Sequence, residues 1–180
     1  RGLGDVYKRQ GLGDEKYRFH EHDKLAHYAN AAFDIEFQFP FGFKELEGIH
    51  SRTDFDLLQH EKFSGKKIRY FDEESGESFV PFVVETSIGL DRTFLSILSA
   101  CYNEEKVGDD TRVVLNIPAP LAPVKVAILP LVKKDGLPAL AREIFDELKL
   151  DMNCKYEEKD SIGKRYRRQD AIGTPFCITV

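Results

Sequence analysis

The sequence lacks the features that mark several classes of protein. It has no tryptophan and only three cysteines, Cys101, Cys154 and Cys177, which lie far apart. Without a CxxC pair or an even set of closely spaced cysteines, neither a zinc knuckle nor a disulfide framework is predicted. Free thiols fit a reducing compartment. No apolar run reaches the ~18–20 residues that span a bilayer, so the sequence predicts a cytoplasmic protein without a membrane partner.

The sequence also lacks an excess of positive charge, because 26 Lys and Arg are outnumbered by 31 Asp and Glu. The formal net charge is −5, which argues against a protein that coats nucleic acid along its whole surface, because such proteins are basic. A local basic patch on an acidic body remains compatible with RNA binding. The hydrophobic content of 42% and charged content of 32% are those of a globular protein.

Hydrophobic periodicity divides the chain into two parts. In the first part the patterns predict a short helix, two strands, a second short helix, a hairpin and a longer helix. Their predicted positions are Asp23–Ala32, Asp34–Phe39, Phe43–Ile49, Asp54–Glu61, Lys67–Phe71 with Phe79–Glu85, and Gly89–Asn103. Alternating strands of this kind favour an antiparallel sheet.

A change of composition follows. Residues 104–111 are charged, and residues 115–123 contain three prolines, a composition typical of a linker. Beyond it the patterns predict strands at 124–129, 154–156 and 176–180, a basic helix or loop at 161–170, and a helix at Leu137–Leu148. That helix is expected to turn Leu140, Ala141, Ile144 and Leu148 inward. Strand–helix–strand alternation indicates an α/β unit with a parallel pair of strands.

The segment FKELEGIHSRTDFDL, residues 43–57, combines two carboxylates, a glycine and an arginine. Glu45 and Glu47 are expected on one face of a strand, because side chains at i and i+2 point together. Gly48 allows close approach of the backbone, and Arg52 follows within a turn. The same pattern fits a solvated strand face, and the residues alone leave both interpretations open.

The segment FVVETSIGLDRTFL, residues 82–95, joins an apolar strand to a helix through Gly89. Glu85 and Ser87 are expected on one face of that strand. Arg92 lies in the first helical turn, where a helix N-terminus favours anions and a guanidinium adds a planar fork for phosphate. A capped helix with a surface arginine explains the pattern equally well.

These segments together resemble a known family. ELEGI and RTDFDL, preceded by LAHYANAAFDIEF, are similar to bacterial homodimeric glycyl-tRNA synthetases, and VETSIGLDRTFL resembles motif 3 of that family. APVKVAILPLVKKDGLPALAREIFDELK resembles the start of their anticodon-binding domain. The resemblance begins near Gly11. It implies an α+β fold: the C-terminal part of a class II synthetase catalytic domain with an antiparallel sheet, followed by an incomplete α/β anticodon-binding domain.

Composition and the resemblance together assign boundaries to these parts. Residues 1–10 are expected to be an artefactual or unstructured leader, 11–110 the catalytic part, 111–123 a Pro-rich linker, and 124–180 the start of the anticodon-binding domain. The dimer helix and the arginine that holds the α-phosphate are expected upstream of this chain. The 180 residues are therefore expected to be inactive alone, and the full-length protein to be a homodimer.

The resemblance also implies that glycine is activated with ATP and transferred to the 3′ end of tRNA(Gly). Arg92 resembles the arginine that binds the adenine and terminal phosphates of ATP. Glu45 resembles the acidic residue near those phosphates, where bound Mg²⁺ needs oxygen ligands. These two residues are the predicted catalytic and ATP-binding residues, and no other protein ligand of a metal is predicted.

Glycine binding is assigned in the same way. Glu85 and Ser87 resemble the residues that recognise glycine, and Arg52 the residue that binds its carboxylate, for which a guanidinium fork is suited. Two departures from the family pattern occur: Thr86 replaces the proline of EPS, and His50–Ser51 precedes Arg52 where other members have Ala-Asn or similar. Neither removes a functional group.

Contacts to tRNA are predicted in the basic segment near the C-terminus, at Lys164, Arg165, Arg167 and Arg168. Lysine and arginine there suit RNA phosphates. A solvated helix face is the alternative interpretation of the same residues.

Two other functions remain open at this point. A non-catalytic nucleic-acid-binding module can share this architecture, but it would be expected to lose Arg92 or the Glu85 and Ser87 pair. A metal-dependent hydrolase would use His20, His22 and His27, although the spacings H-x-H and H-x₄-H match no zincin helix.

Overall fold

The computed structural model of the chain describes residues 14–180. The predicted leader, residues 1–10, lies outside the described residues. By their internal contacts the described residues form two compact units, 14–96 and 97–180. The division falls after Ser96, upstream of the boundary that composition predicted at 111–123.

The first unit begins with a turn of 3₁₀ helix at Asp14–Lys16 and is built around an antiparallel sheet. Its elements are β1 (Tyr17–Glu21), β2 (Ala31–Phe39), β3 (Gly42–Ser51), α1 (Phe55–Ser64), β4 (Tyr70–Phe71), β5 (Ser78–Phe79), β6 (Val84–Ile88) and the first part of α2 (Leu90–Cys101). Strands β4 and β5 form a hairpin that is shorter than predicted. The arm predicted at Phe79–Glu85 does not form as one strand, because Val84 and Glu85 belong to β6, which pairs with β3.

The main sheet of this unit has the strand order β1-β2-β3-β6, with every pair antiparallel. The period-two pattern of β2 works as predicted: Ile35, Phe37 and Phe39 are buried. Phe37 lies at the centre of the apolar face, with its ring 5.2 Å from the ring of Tyr17 and 4.9 Å from that of Phe39. The opposite face of the sheet carries the polar side chains of the candidate site.

The helix predicted at Asp23–Ala32 does not form. Residues 23–30 are turns and irregular structure, and Ala31 and Ala32 already belong to β2. Backbone pairing of Asn30 and Ala31 with Ser51 continues the sheet in this direction. A helix of this length is only marginally stable by itself. Pairing with β3 therefore stabilises the strand more than the helical spacing of apolar residues stabilises a helix.

The second unit alternates strands and helices after an initial hairpin. Its elements are the end of α2, β7 (Tyr102–Val107), β8 (Asp110–Leu115), β9 (Val126–Leu129), α3 (Leu137–Leu148), β10 (Cys154–Tyr156), α4 (Ile162–Ile172) and β11 (Phe176–Thr179). The predicted α/β alternation is therefore observed.

The sheet of the second unit is parallel, with β9 in the centre between β10 and β11. All four residues of β9 are buried, as expected for a central parallel strand covered on both faces. Ala141 of α3 packs on it together with Ile144, Phe145 and Leu148. The inward position predicted for Leu140 is wrong: its side chain is 47% exposed, and Phe145 fills the apolar stripe instead.

The charged segment at 104–111 is not a linker. It forms the antiparallel hairpin of β7 and β8, which turns at Gly108 with φ +65°. Arg112 of β8 forms ion pairs with Glu105 at 2.7 Å and with Asp170 of α4 at 3.0 Å. Glu105, one of the charges that indicated a linker, therefore pairs across the hairpin, and Arg112 links the hairpin to α4.

Within residues 14–180, the helices are all too short or too polar to cross a bilayer.

Gly173 ends α4 in a conformation that other residues tolerate poorly. Its φ is +76°, and a Cβ atom there would lie 2.5 Å from Cδ1 and 3.1 Å from Cβ of Ile117. We expect Gly173→Ala to destabilise the protein by about 2–4 kcal/mol, because left-handed strain and overpacking add. Thermal unfolding of the full-length protein measures this.

Gly108→Ala is the matched control. Gly108 has a similar φ of +65°, but nothing lies within 4 Å of the position that a Cβ atom would take there. The substitution is expected to cost only about 1–2 kcal/mol, the strain alone. Equal losses for the two variants would show that the contact with Ile117 contributes nothing.

Candidate active site

The pairing of β3 with β6 sets the arrangement of the candidate site. Glu85 lies opposite His50, and Ser87 lies opposite Gly48. Residues two apart on a strand share a face, so Glu85 and Ser87 both project onto the polar face of the main sheet. The strand predicted before Gly89 therefore delivers both residues to the same side.

The prediction that Glu45 and Glu47 share a face is wrong. Glu45 pairs with Glu36 and Glu47 pairs with Ile35, so the register shifts by one residue at Leu46. This β-bulge inserts one extra residue and turns the two carboxylates to opposite faces. Glu45 reaches solvent with a side chain that is 51% exposed, whereas Glu47 is buried and burial raises the pKa of its carboxyl.

Arg52 lies at the end of β3 and joins Glu85 to α1. Its Nε donates to Asp56 at 2.5 Å, its Nη2 donates to the other oxygen of Asp56 at 3.2 Å, and its Nη1 donates to Glu85 at 2.5 Å. The guanidinium carbon lies 4.2 Å from the centre of the Tyr28 ring. These contacts use three of the five N–H donors of a guanidinium, so donors remain for a substrate carboxylate.

The charges of this cluster support one another. Hydrogen bonding to Asp56 and then to Glu85 raises the pKa of Arg52. The hydrogen bond from Arg52 holds the pKa of Asp56 below its usual range. Arg52 is therefore a fixed cation beside Glu85, held in place by a fork on Asp56 and a ring contact.

Arg92 projects from the first turn of α2 back towards β3. Its Nη1 donates to the carbonyl of Glu45 at 2.7 Å and lies 3.5 Å from the Glu45 carboxylate. Both side chains are about half exposed. They line a cavity of about 560 Å³ together with Leu46, Ser87, Ile88, Gly89, Leu90 and Asp91. The structure thus brings together Arg92 and Glu45, the residues predicted to bind ATP. Ser87, which is predicted to bind the substrate glycine, lines the same cavity.

Sequence reasoning missed a polar group beside this cavity. Asp34 pairs with Gly48 and is 8% exposed; its carboxylate lies 2.9 Å from Nε2 of His22. A Cβ atom at Gly48 would lie 3.4 Å from His50, 3.6 Å from Asp34 and 3.8 Å from Glu45. Gly48 therefore leaves room between three polar side chains. The alternation of Asp34 with apolar residues along β2 was the available signal, but the same alternation is typical of a solvated face.

The histidines of the metal hypothesis do not converge. His20 and His22 lie with ring centres 5.3 Å apart, whereas His27 packs its ring 5.1 Å from that of Phe55. Among residues 14–180 there is no group of three or more His, Cys, Asp or Glu placed to hold a metal ion.

Known proteins similar to this chain point to one family. Residues 125–180 match the family model described as anticodon binding domain. A glycine–tRNA ligase of Chlorobaculum tepidum is 54% identical over 170 residues, which are 94% of this chain and 36% of that protein. A glycine–tRNA ligase of Treponema denticola is 50% identical over 97% of this chain and 40% of its own length. The chain belongs to the glycine–tRNA ligase family.

The chain therefore spans 36–40% of the length of these glycine–tRNA ligases. A solved structure with the same fold is the prolyl-tRNA synthetase of Cryptosporidium parvum, complexed with L-proline and AMP. It has a TM-score of 0.65 at 15% identity and covers 97% of this chain and 36% of its own. This likeness concerns the fold alone. The predicted fold class, a class II catalytic part followed by an anticodon-binding domain, is confirmed.

The four basic residues predicted to contact tRNA differ in how far their side chains are exposed. Lys164 and Arg167 are exposed, with Arg167 3.7 Å from Asp110. Arg168 is bound to Glu157 at 2.5 Å and to Asp160 at 2.8 Å. Arg165 is 3% exposed, and its guanidinium donates to the carbonyl of Pro130 at 2.6 Å. The prediction that Arg165 contacts RNA phosphates is therefore wrong, because the side chain is buried.

Arg165 stabilises the fold instead. Nη2 of Arg165 donates to the carbonyl of Leu131 at 3.3 Å. Arg165 therefore links α4 to the residues that follow β9. We expect Arg165→Leu to lower the free energy of unfolding by about 2–3 kcal/mol, because buried carbonyls lose charged donors. The exposed neighbour Lys164 gives the control: Lys164→Leu should change the free energy of unfolding by less than about 0.5 kcal/mol. Equal melting temperatures of the two variants would contradict the structural role of Arg165.

Proposed function

We propose that the full-length protein activates glycine with ATP to glycyl-adenylate and transfers glycine to the 3′ end of tRNA(Gly). The observation that carries the proposal is the identity of 54% with a glycine–tRNA ligase across 94% of the chain. The site geometry supports it, because Glu45, Ser87 and Arg92 line one cavity and Arg52 bonds to Glu85. No observation favours a non-catalytic nucleic-acid-binding module.

In this proposal Arg92 binds the adenine and terminal phosphates of ATP. A planar guanidinium stacks on a base and pairs with phosphate, whereas lysine does only the second. Glu45 is the residue that would hold Mg²⁺, since this ion is commonly bound by one or two carboxylates together with substrate phosphates. The bound ion would neutralise negative charge on the phosphates. Half of the Glu45 side chain is exposed, which leaves it accessible from the cavity.

Glycine is placed against β6. The carboxylate of Glu85 faces the glycine ammonium, Ser87 adds a hydrogen bond, and Arg52 binds the glycine carboxylate with its remaining N–H donors. Because Arg52 also donates to Glu85 at 2.5 Å, the two charges that recognise the two ends of glycine are fixed relative to each other. The displacement at the α-phosphate of ATP is then accelerated by the positioning of the two substrates and by neutralisation of the phosphate charge.

Glycine-dependent ATP–pyrophosphate exchange by the full-length protein tests the proposal. We expect exchange with glycine and at least about 100-fold less with alanine, because a crowded charged pocket excludes the extra methyl group by clash. Exchange that does not depend on glycine would overturn the proposal.

The family also leads us to propose tRNA(Gly) as the RNA substrate, a homodimer in the full-length protein and a location in the cytoplasm. The match of residues 125–180 to an anticodon binding domain supports the RNA substrate. Within residues 14–180, Cys101, Cys154 and Cys177 form no disulfide bond, which fits a reducing compartment. Lys164, Arg167 and Arg168 stay in the proposal as tRNA contacts, while Arg165 is removed from it.

A further inference from the structure

The segment after α1 is folded back onto the end of that helix. Gly65 ends the helix with φ +69°. The Glu61 carboxylate then accepts hydrogen bonds from the backbone N–H of Ile68 at 2.8 Å and from Nε of Arg69 at 3.3 Å. The bond from Ile68, aided by Arg69, holds the pKa of Glu61 below its usual range. Residues 65–69 are therefore fixed in place beside the last turn of α1.

This arrangement collects four cations around one cavity of about 350 Å³. The cavity is lined by Leu58, Glu61, Lys62, Gly65, Lys66, Lys67 and Arg69, and we call it the Lys62–Arg69 pocket. Glu61, the acid in this lining, is already engaged by its bonds to Ile68 and Arg69. The three lysines are exposed. On a chain with a net charge of −5, such a local excess of positive charge attracts anionic groups.

Aromatic side chains flank the pocket and are exposed to solvent. Phe63 is 81% exposed, and its ring centre lies 5.5 Å from Nζ of Lys62. Tyr70 and Phe71, directly after Arg69, are each 57% exposed. Lysines interleaved with exposed aromatic rings are the chemistry that binds single-stranded nucleic acid, since lysine pairs with phosphate and a ring stacks on an unpaired base.

The pocket and the candidate active site lie at the two ends of α1. Asp56, in the first turn, holds Arg52 beside Glu85, while Lys62 and Gly65 lie at the last turn and beyond. A helix of ten residues is about 15 Å long. An RNA strand bound at the pocket is therefore about one short helix away from the residues proposed to bind glycine.

We propose that the Lys62–Arg69 pocket binds backbone phosphates of the RNA substrate and that Phe63 stacks on one of its unpaired bases. The choice of tRNA as that RNA rests on the proposed function. A free nucleotide carries the same phosphate chemistry, so the experiment separates the two sources.

The test uses the full-length protein with Lys66→Gln and Lys67→Gln combined. The control combines Lys24→Gln with Lys44→Gln, which removes the same charge from exposed positions of the same unit. Binding of a tRNA(Gly) transcript is measured by fluorescence anisotropy at several salt concentrations. We expect about tenfold weaker binding by the pocket variant and a salt slope shallower by about 1.5, because two phosphate contacts are lost. The control variant should bind within about twofold of the wild type.

Two further measurements identify the ligand. Phe63→Ala is expected to weaken tRNA binding about fivefold and to lose this effect on a transcript without its unpaired 3′ end. ATP–pyrophosphate exchange, which needs no tRNA, should be unchanged in all these variants. Unchanged tRNA affinity of the double variant would overturn the inference, and so would a parallel fall in exchange, which would indicate a nucleotide site. If the wild type shows no glycine-dependent exchange, the proposed function fails, while the direct binding measurement still decides the RNA site.

Discussion

Replacing Glu85 by glutamine is expected to weaken the use of glycine by about 10–100-fold while leaving the use of ATP nearly unchanged. Glutamine keeps the shape of the side chain and removes the negative charge that would face the glycine ammonium. Pyrophosphate exchange at varied glycine and at varied ATP separates the two effects. A raised Michaelis constant for ATP with glycine unaffected would place Glu85 in the nucleotide site and contradict the assignment.

The bond between Glu85 and Arg52 requires a control, because the substitution also weakens the hold on Arg52. Asp56→Asn removes a negative charge that is paired with the same guanidinium, but Asp56 lies on α1 and not on β6. We expect its effect on glycine use to be less than about fivefold. Equal effects of the two variants would mean that Glu85 acts only by positioning Arg52. Ser87→Ala should cost less than Glu85→Gln, since it removes one neutral hydrogen bond, and the added room should admit a little alanine.

The parts of the site that are local in the sequence could be predicted from it. Glu85 and Ser87 share a face because the five-residue strand β6 keeps its period of two. The helix opened by Gly89 puts Arg92 in its first turn, as the pattern indicated. Both features depend on a few consecutive residues, for which periodicity is a reliable guide.

The features that depend on pairing between distant segments could not be predicted in this way. The bulge at Leu46 separates Glu45 from Glu47, and it is visible only in the register against β2. The same holds for the surroundings of Asp34, which depend on its pairing with Gly48. Arg165 shows the same limit, because a basic run in the sequence does not reveal that one arginine reaches the carbonyl groups of Pro130 and Leu131.

Replacing Arg92 by lysine is expected to slow glycyl-adenylate formation by about tenfold or more, with little effect on folding. The geometry motivates both halves of this expectation. Arg92 is about half exposed and its ion pair with Glu45 spans 3.5 Å, and exposed pairs of this kind stabilise proteins little. The melting temperature should therefore stay close to that of the wild type. Lysine keeps the charge but loses the planar surface and the fork of donors, so the loss should appear in the use of ATP and not of glycine.

Arg112→Lys is the matched control for this substitution. Arg112 is also partly exposed and paired with carboxylates, Glu105 and Asp170, but it lies in the second unit and lines no part of the cavity with Glu45. Its exchange rate should match that of the wild type within about twofold. Single-turnover measurement of adenylate formation at saturating glycine and varied ATP gives the comparison. A loss below about threefold for Arg92→Lys, roughly 0.7 kcal/mol, would place Arg92 outside the contacts made in the transition state.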